Sequence, residues 1–131
     1  MTVPGWISAI VRGFGSGAGL ENLSFNERGV AGVAFENGFT LRFEYVESAL
    51  MVEMSVPSNP DAERMKALLS YSHPRAAAPG AMRMRTGYIT KSGRVVFAVR
   101  LESRDVTGPA VHDAFAMLWR AAGEFGGESW A

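Results

Sequence analysis

Residues 39–56, FTLRFEYVESALMVEMSV, limit the fold more than any other stretch of the chain. Phe39, Leu41, Phe43 and Tyr45 fall on one side of an extended backbone, with Thr40, Arg42 and Glu44 on the other. After a turn at Glu47-Ser48 the pattern resumes with Leu50, Val52, Met54 and Val56. Two apolar runs of period two, joined by so short a connection, specify neighbouring antiparallel strands with one dry face and rule out an all-helical chain. Upstream, Gly29 to Phe35 forms a strand of small residues, and Glu36-Asn37-Gly38 supplies the positive-φ residues a tight hairpin requires.

Two later stretches repeat the period. Ala81 to Ile89 sets Met82, Met84 and Tyr88 opposite Arg83 and Arg85; Arg94 to Glu102 points Val95, Phe97, Val99 and Leu101 inward, with Ser92-Gly93 turning between the two strands. Three segments instead have helical spacing. Trp6, Ile7, Ile10, Val11 and Phe14 make one face of a short N-terminal helix, which GFGSGAG is expected to end as a flexible joint because glycine loses so much backbone entropy in a helix. Ser58 or Asn59 caps a second helix, with Pro60 in its first turn, Asp61 and Glu63 complementing its dipole, Ala62, Met65, Leu68 and Leu69 as its stripe, and His73-Pro74 as its stop. RAAAPG then forms a loop, and Thr107-Gly108-Pro109 opens a last helix striped by Val111, Ala114, Phe115, Leu118 and Ala122 that frays at GEFGGESWA. The predicted fold is α+β and two-layered, in the order α-β-β-β-α-β-β-α, with a twisted antiparallel sheet and helices packed on one face.

The 131 residues suit one domain with one core. Thirteen basic residues balance thirteen acidic ones, which argues against a bulk electrostatic grip on nucleic acid and leaves little charge to keep copies apart. The absence of cysteine excludes disulfides and thiolate metal sites. The N-terminus lacks a signal peptide's basic start and apolar core, and no apolar run is long enough to span a membrane, so the expected location is cytoplasmic.

Reactive constellations are missing from the sequence. The two histidines, His73 and His112, lie far apart, and His112 cannot be oriented by Asp113 beside it on a helix, where adjacent side chains diverge. No carboxylate cluster has metal-ligand spacing. Gly13, Gly15 and Ala18 fit a dinucleotide-loop pattern, but a helix precedes them where that motif needs a strand. Arg83, Arg85, Lys91, Arg94, Arg100 and Arg104 gather near Tyr88 and Phe97, yet Phe97 alternates inward, and Glu102 and Asp105 interrupt the patch. Glu44 and Glu53 are read as outer-face neighbours neutralised by Arg42. No catalytic residue, metal or cofactor is expected; an enzyme or small-molecule binder would need a closed polar cavity.

With its eight-element order, the chain resembles the class I type III secretion chaperones, the Tir-chaperone family. The likeness is carried by the short first helix, LSFNERGVAGVAFENGFTLRFEYVESALMVEMSVP, the helix end LLSYSHP, and GYITKSGRVVFAVRLESRDVTGPAVHDAFAMLWRAAGEF, and so covers nearly all of residues 1–131 as one chaperone-like domain. Members are commonly acidic, whereas this chain is neutral. The resemblance implies a bacterial cytosolic homodimer without catalytic activity. It would bind the N-terminal segment of a secreted effector, keep it secretion-competent and deliver it to the secretion apparatus, whose ATPase is a further implied partner; nucleic acid and membrane are not. By position, Ile7, Ile10, Val11, Phe14, Val33 and Phe35 would face the effector, and Met65, Leu68, Leu69, Met84 and Val96 the second copy. A regulatory or stress-related protein-binding module of the same fold is the alternative.

Overall fold

The computed structural model describes residues 2–20, 22–58, 60–70 and 82–126. Helix α1 spans Gly5–Gly17, strands β1, β2 and β3 span Val30–Ala34, Thr40–Val46 and Ala49–Pro57, and α2 spans Ala62–Ser70. Strands β4, Met84–Ile89, and β5, Arg94–Glu102, follow; a 3-10 turn at Ser103–Asp105 then leads to α3, Gly108–Gly126. The expected element order holds. The expected cap at Asn59, stop at His73-Pro74, RAAAPG loop, strand start at Ala81 and C-terminal fraying from 127 lie outside the described residues.

The five strands form one antiparallel sheet in the order β1-β2-β3-β5-β4. Its inner face is the one the alternation marks: Leu41, Phe43, Leu50, Val52, Met54, Val56, Val95, Phe97 and Val99 are fully buried. Ile7 and Val11 of α1, Leu68 of α2 and Val111, Ala114 and Leu118 of α3 join the same core, so all three helices lie on that face. Arg42 sits across from Glu53 in the β2–β3 register, and its Nη1 reaches both Glu53 and Glu44 at 3.2 Å, the outer-face neutralisation expected from the sequence.

Several local readings need correction. The glycine-rich stretch is no joint, because α1 runs through Gly13 and Gly15 to Gly17. Gly15 is buried, and a Cβ there would lie 2.9 Å from both the Leu20 carbonyl oxygen and Leu23 Cβ, so the packing demands the residue that propensity alone disfavours. The stop comes later. Gly19 takes φ 74°, its N–H bonds the Ser16 carbonyl at 3.3 Å, and the Leu20 N–H bonds the Gly15 carbonyl at 2.7 Å, the bond pair of a Schellman motif. At the β1–β2 turn only Gly38 has positive φ; the left-handed pair is instead Glu47 and Ser48, at φ 51° and 60°, which close β2 onto β3 as a type I′ turn. The Ser48 carbonyl is held there by the Ser103 N–H at 3.1 Å and the Ser103 hydroxyl at 2.6 Å.

Helix α2 is capped by Asp61, whose Oδ1 accepts the Arg64 N–H at 2.8 Å, and not by Ser58. Thr107 opens α3 as expected, its Oγ1 accepting the Ala110 N–H at 3.1 Å.

Candidate polypeptide-binding surface

Helix α1 shows one apolar side to the sheet and another to α3. Ile7 and Val11 point down and are fully buried, while Ile10 and Phe14, three residues further along in each case, are only half covered. The expectation that all four face an effector therefore divides: Ile7 and Val11 are core residues of this chain, with no surface left to offer. Ile10 and Phe14 instead border a groove of about 460 Å³, whose other walls are Gly13, Gly17 and Ala18 of the α1 end and Gly108, His112 and Phe115 of α3.

A row of rings leads out of this groove. Phe14 meets Phe43 below it at 5.9 Å and Phe115 of α3 at 5.2 Å between centroids. Phe115 stacks on Trp119 at 5.7 Å, one helical turn on, and Trp119 stands edge-on to Phe35 at 5.1 Å and Phe39 at 5.4 Å. Offset and edge-to-face contacts at these distances are the favoured aromatic geometries, so the row is a stiff apolar surface. Trp119 remains 38% exposed at its outer end, and Trp6 of α1 is 49% exposed. Val33 and Phe35, both half-buried, place the β1 end of the sheet beside this ring row.

Sequence reasoning missed Trp119. Phe115 fell on the predicted α3 stripe, but Trp119 follows Leu118 and sits one step off it, so it was not counted. The available signal was its i+4 spacing from Phe115: a large aromatic just outside a completed stripe is surplus apolar surface.

The residues expected at a dimer contact do not form one surface. Leu68 is 1% exposed and belongs to the chain's own core, while Leu69 beside it is 61% exposed. Met84 pairs with buried Val99 and faces the helices, whereas Val96 pairs with Gly87 and Ser55 on the opposite face. Met65 is half-buried on α2. That helix is fixed in place: the Thr86 hydroxyl donates to the Leu68 carbonyl at 3.1 Å, and Arg64 donates to the Phe125 carbonyl while its guanidinium lies 4.5 Å from the centre of the Phe125 ring.

The basic strands do not make a stacking platform. Phe97 is fully buried against Phe125, and Tyr88 shares that inner face. Arg94 is bound by Ser55, Thr40 and the Gly38 carbonyl. A cleft of about 960 Å³ lies beside Leu101, with Arg85 and Arg100 from the sheet, Arg83 just ahead of β4, and Asp105 and Asp113 from the α3 side among its walls. Among the described residues, no three His, Asp or Glu side chains cluster as metal ligands, and no helix is long and apolar enough to cross a membrane.

Comparison with known proteins then places the chain. Residues 6–125 match the family described as type III secretory system chaperone SycN. The chain belongs to that family. Solved structures of the same fold include a chain of the ExsC-ExsE complex, with TM-score 0.72, 16% identity and coverage of 93% of this chain and 92% of that one. A chain of the HopA1-SchA chaperone-effector complex has TM-score 0.71, 16% identity and coverage of 95% and 98%. The Yersinia pestis type III secretion chaperone SycH, in complex with a fragment of YscM2, has TM-score 0.68, 18% identity and coverage of 91% and 98%. No curated protein sequence matches significantly.

Proposed function

We propose that this type III secretion chaperone binds the N-terminal segment of a secreted effector, holds it in a non-globular, secretion-competent state as a homodimer, and delivers it to the secretion apparatus and its ATPase. Solved relatives in fold include chaperone-effector complexes, which supports an effector as the partner. The whole chain acts as one chaperone domain.

The observation that carries this reading is the ring row joining the α1–α3 groove to the β1 end of the sheet. An apolar groove that accepts side chains, beside a sheet edge that offers backbone bonds, is a recurring way to hold an extended polypeptide. Ile10, Phe14, Val33 and Phe35 belong to the proposed effector surface, with Phe115 and Trp119 added to them. For the second copy, Leu69 with Met65 is the proposed contact on α2.

The test is co-expression with the N-terminal segments of effectors encoded near the chaperone gene. The wild-type chain should co-purify with one of them. Ile10→Asp and Trp119→Ala should lose it while keeping the wild-type circular dichroism spectrum. Full capture by both folded variants would remove the ring row from the binding surface, and wild-type chain that retains no effector would overturn the proposal.

A further inference from the structure

Charge is sorted across the outer face of the sheet. From strand to strand, one row runs Arg42, Glu53, Ala98, Arg85, and the next runs Glu44, Met51, Arg100. Arg83 extends the second row: it precedes Met84, whose partner is Val99, so the same register sets it across from Arg100. Both carboxylates of these rows, Glu44 and Glu53, are held by Arg42 at 3.2 Å. Met51 and Ala98 then leave two strand spacings, roughly 10 Å, between Glu44 and Arg100 and between Glu53 and Arg85. Among the described residues Arg100 pairs with Glu102 at 2.9 Å, while Arg83 and Arg85, both exposed, have no carboxylate partner. Residues 71–81, next in the chain to this end of β4, contain Arg75 and no Asp or Glu. Like charges set across from each other on one face cost stability, so these arginines are surplus to what holds the sheet together.

From this we infer that the β4–β5 end of the outer face docks an acidic segment of a partner polypeptide, extended and with carboxylates at alternate residues. Spacing and charge together fix that chemistry. Arg83 and Arg85 point the same way about 6.7 Å apart, which is the repeat of every second residue in an extended chain, and Arg100 flanks them from the next strand. Each guanidinium can take a carboxylate in two parallel bonds. Met51, Met82, Ala98, Pro109 and Ala110 share the cleft with them and suit the apolar residues between the carboxylates. Nucleic acid is the poorer occupant. Phe97 and Tyr88 turn inward and leave no ring here to stack a base, and Asp105 and Asp113 on the far wall would repel a phosphate at every nucleotide. A second copy is poorer too, because arginines outnumber carboxylates in the cleft walls and a two-fold contact would double that excess. The inference goes beyond the effector reading and does not rest on it, since this face lies across the sheet from the ring row.

The test uses the full chain labelled with ¹⁵N and the probe peptide acetyl-Glu-Val-Glu-Val-Glu-amide. Peptide should shift the amides of Arg85, Ala98 and Arg100 and leave those of Phe14 and Trp119 in place, and added sodium chloride should weaken it several-fold. The glutamine counterpart, acetyl-Gln-Val-Gln-Val-Gln-amide, should not bind. Acetyl-Glu-Glu-Glu-Val-Val-amide, of equal charge and different spacing, should bind several-fold less tightly. Arg83→Gln with Arg85→Gln should weaken the probe about ten-fold at an unchanged circular dichroism spectrum, and Arg12→Gln, on α1, should not. Arg83→Glu with Arg85→Glu should turn the preference to acetyl-Lys-Val-Lys-Val-Lys-amide, a reversal that a misfolded chain would not show. No shift at Arg85, Ala98 or Arg100, equal binding of the glutamine peptide or of the contiguous acids, or an arginine double variant that binds as wild type each overturn the inference. Oligothymidylate that binds this face more tightly than the probe assigns it to nucleic acid, and shifts there that grow with chain concentration alone assign it to a second copy; either result overturns the inference too.

Discussion

Two glycines on one helix should respond in opposite ways to the same methyl group. Gly13 and Gly15 both lie inside α1. A Cβ on Gly13 has nothing within 4 Å, so Gly13→Ala should collect the full helix-propensity gain of about 0.8–1 kcal/mol. At Gly15 the same gain meets a contact of 2.9 Å with the Leu20 carbonyl and with Leu23 Cβ. Neither is the far end of a flexible side chain, and Leu20 N–H is bonded to the Gly15 carbonyl, so the turn cannot swing aside cheaply. Overpacking of this kind costs about 1–3 kcal/mol, which cancels or exceeds the gain. Gly13→Ala is therefore expected to be the more stable variant by about 1–3 kcal/mol. Urea titration followed by circular dichroism measures both midpoints at unchanged slope. Equal stabilisation by both would show that Gly15 is not packed against the Leu20–Leu23 turn. No gain at Gly13 would return the stretch to a flexible joint, and with it remove the preformed groove wall.

Three further outcomes follow from particular contacts. Glu47→Asn with Ser48→Gly should raise stability by about 1–2 kcal/mol in thermal melts, by relieving two left-handed residues that favour asparagine and glycine; a loss would mean that the Ser103 bonds depend on the native side chains. Arg64→Ala should cost about 2–3 kcal/mol in urea unfolding, from the bond to the Phe125 carbonyl and the ring contact together; an unchanged midpoint would mean that α2 is held without Arg64. Leu69→Arg should leave the fold intact, since Leu69 is 61% exposed, and shift light-scattering mass from dimer to monomer; an unaltered dimer would place the contact away from Leu69.

Which face each strand buries was written in its own spacing. Period two put Leu41, Phe43, Val52 and Val99 on the buried face, because successive strand side chains must alternate whatever lies across from them. The same rule turned Phe97 inward and set Arg42 beside Glu53, which argues against a base-stacking sheet. Family resemblance also belonged to the sequence. Tertiary structure decided the rest, for reasons of distance. Strand β5 reaches β3, and β4 is pushed to the edge, through pairings between residues 37 to 53 positions apart, which no local period encodes. Glycine propensity predicted that α1 would end early, and packing at Gly15 with a left-handed Gly19 overrode it. Ile7 and Val11 became core, and Ile10, Phe14 and Trp119 stayed partly uncovered, because α1 and α3 leave a groove open between them and the Trp119 end of the ring row has no neighbour over it among the described residues: periodicity says which residues are apolar together, and only the neighbour's position says which of them remain uncovered.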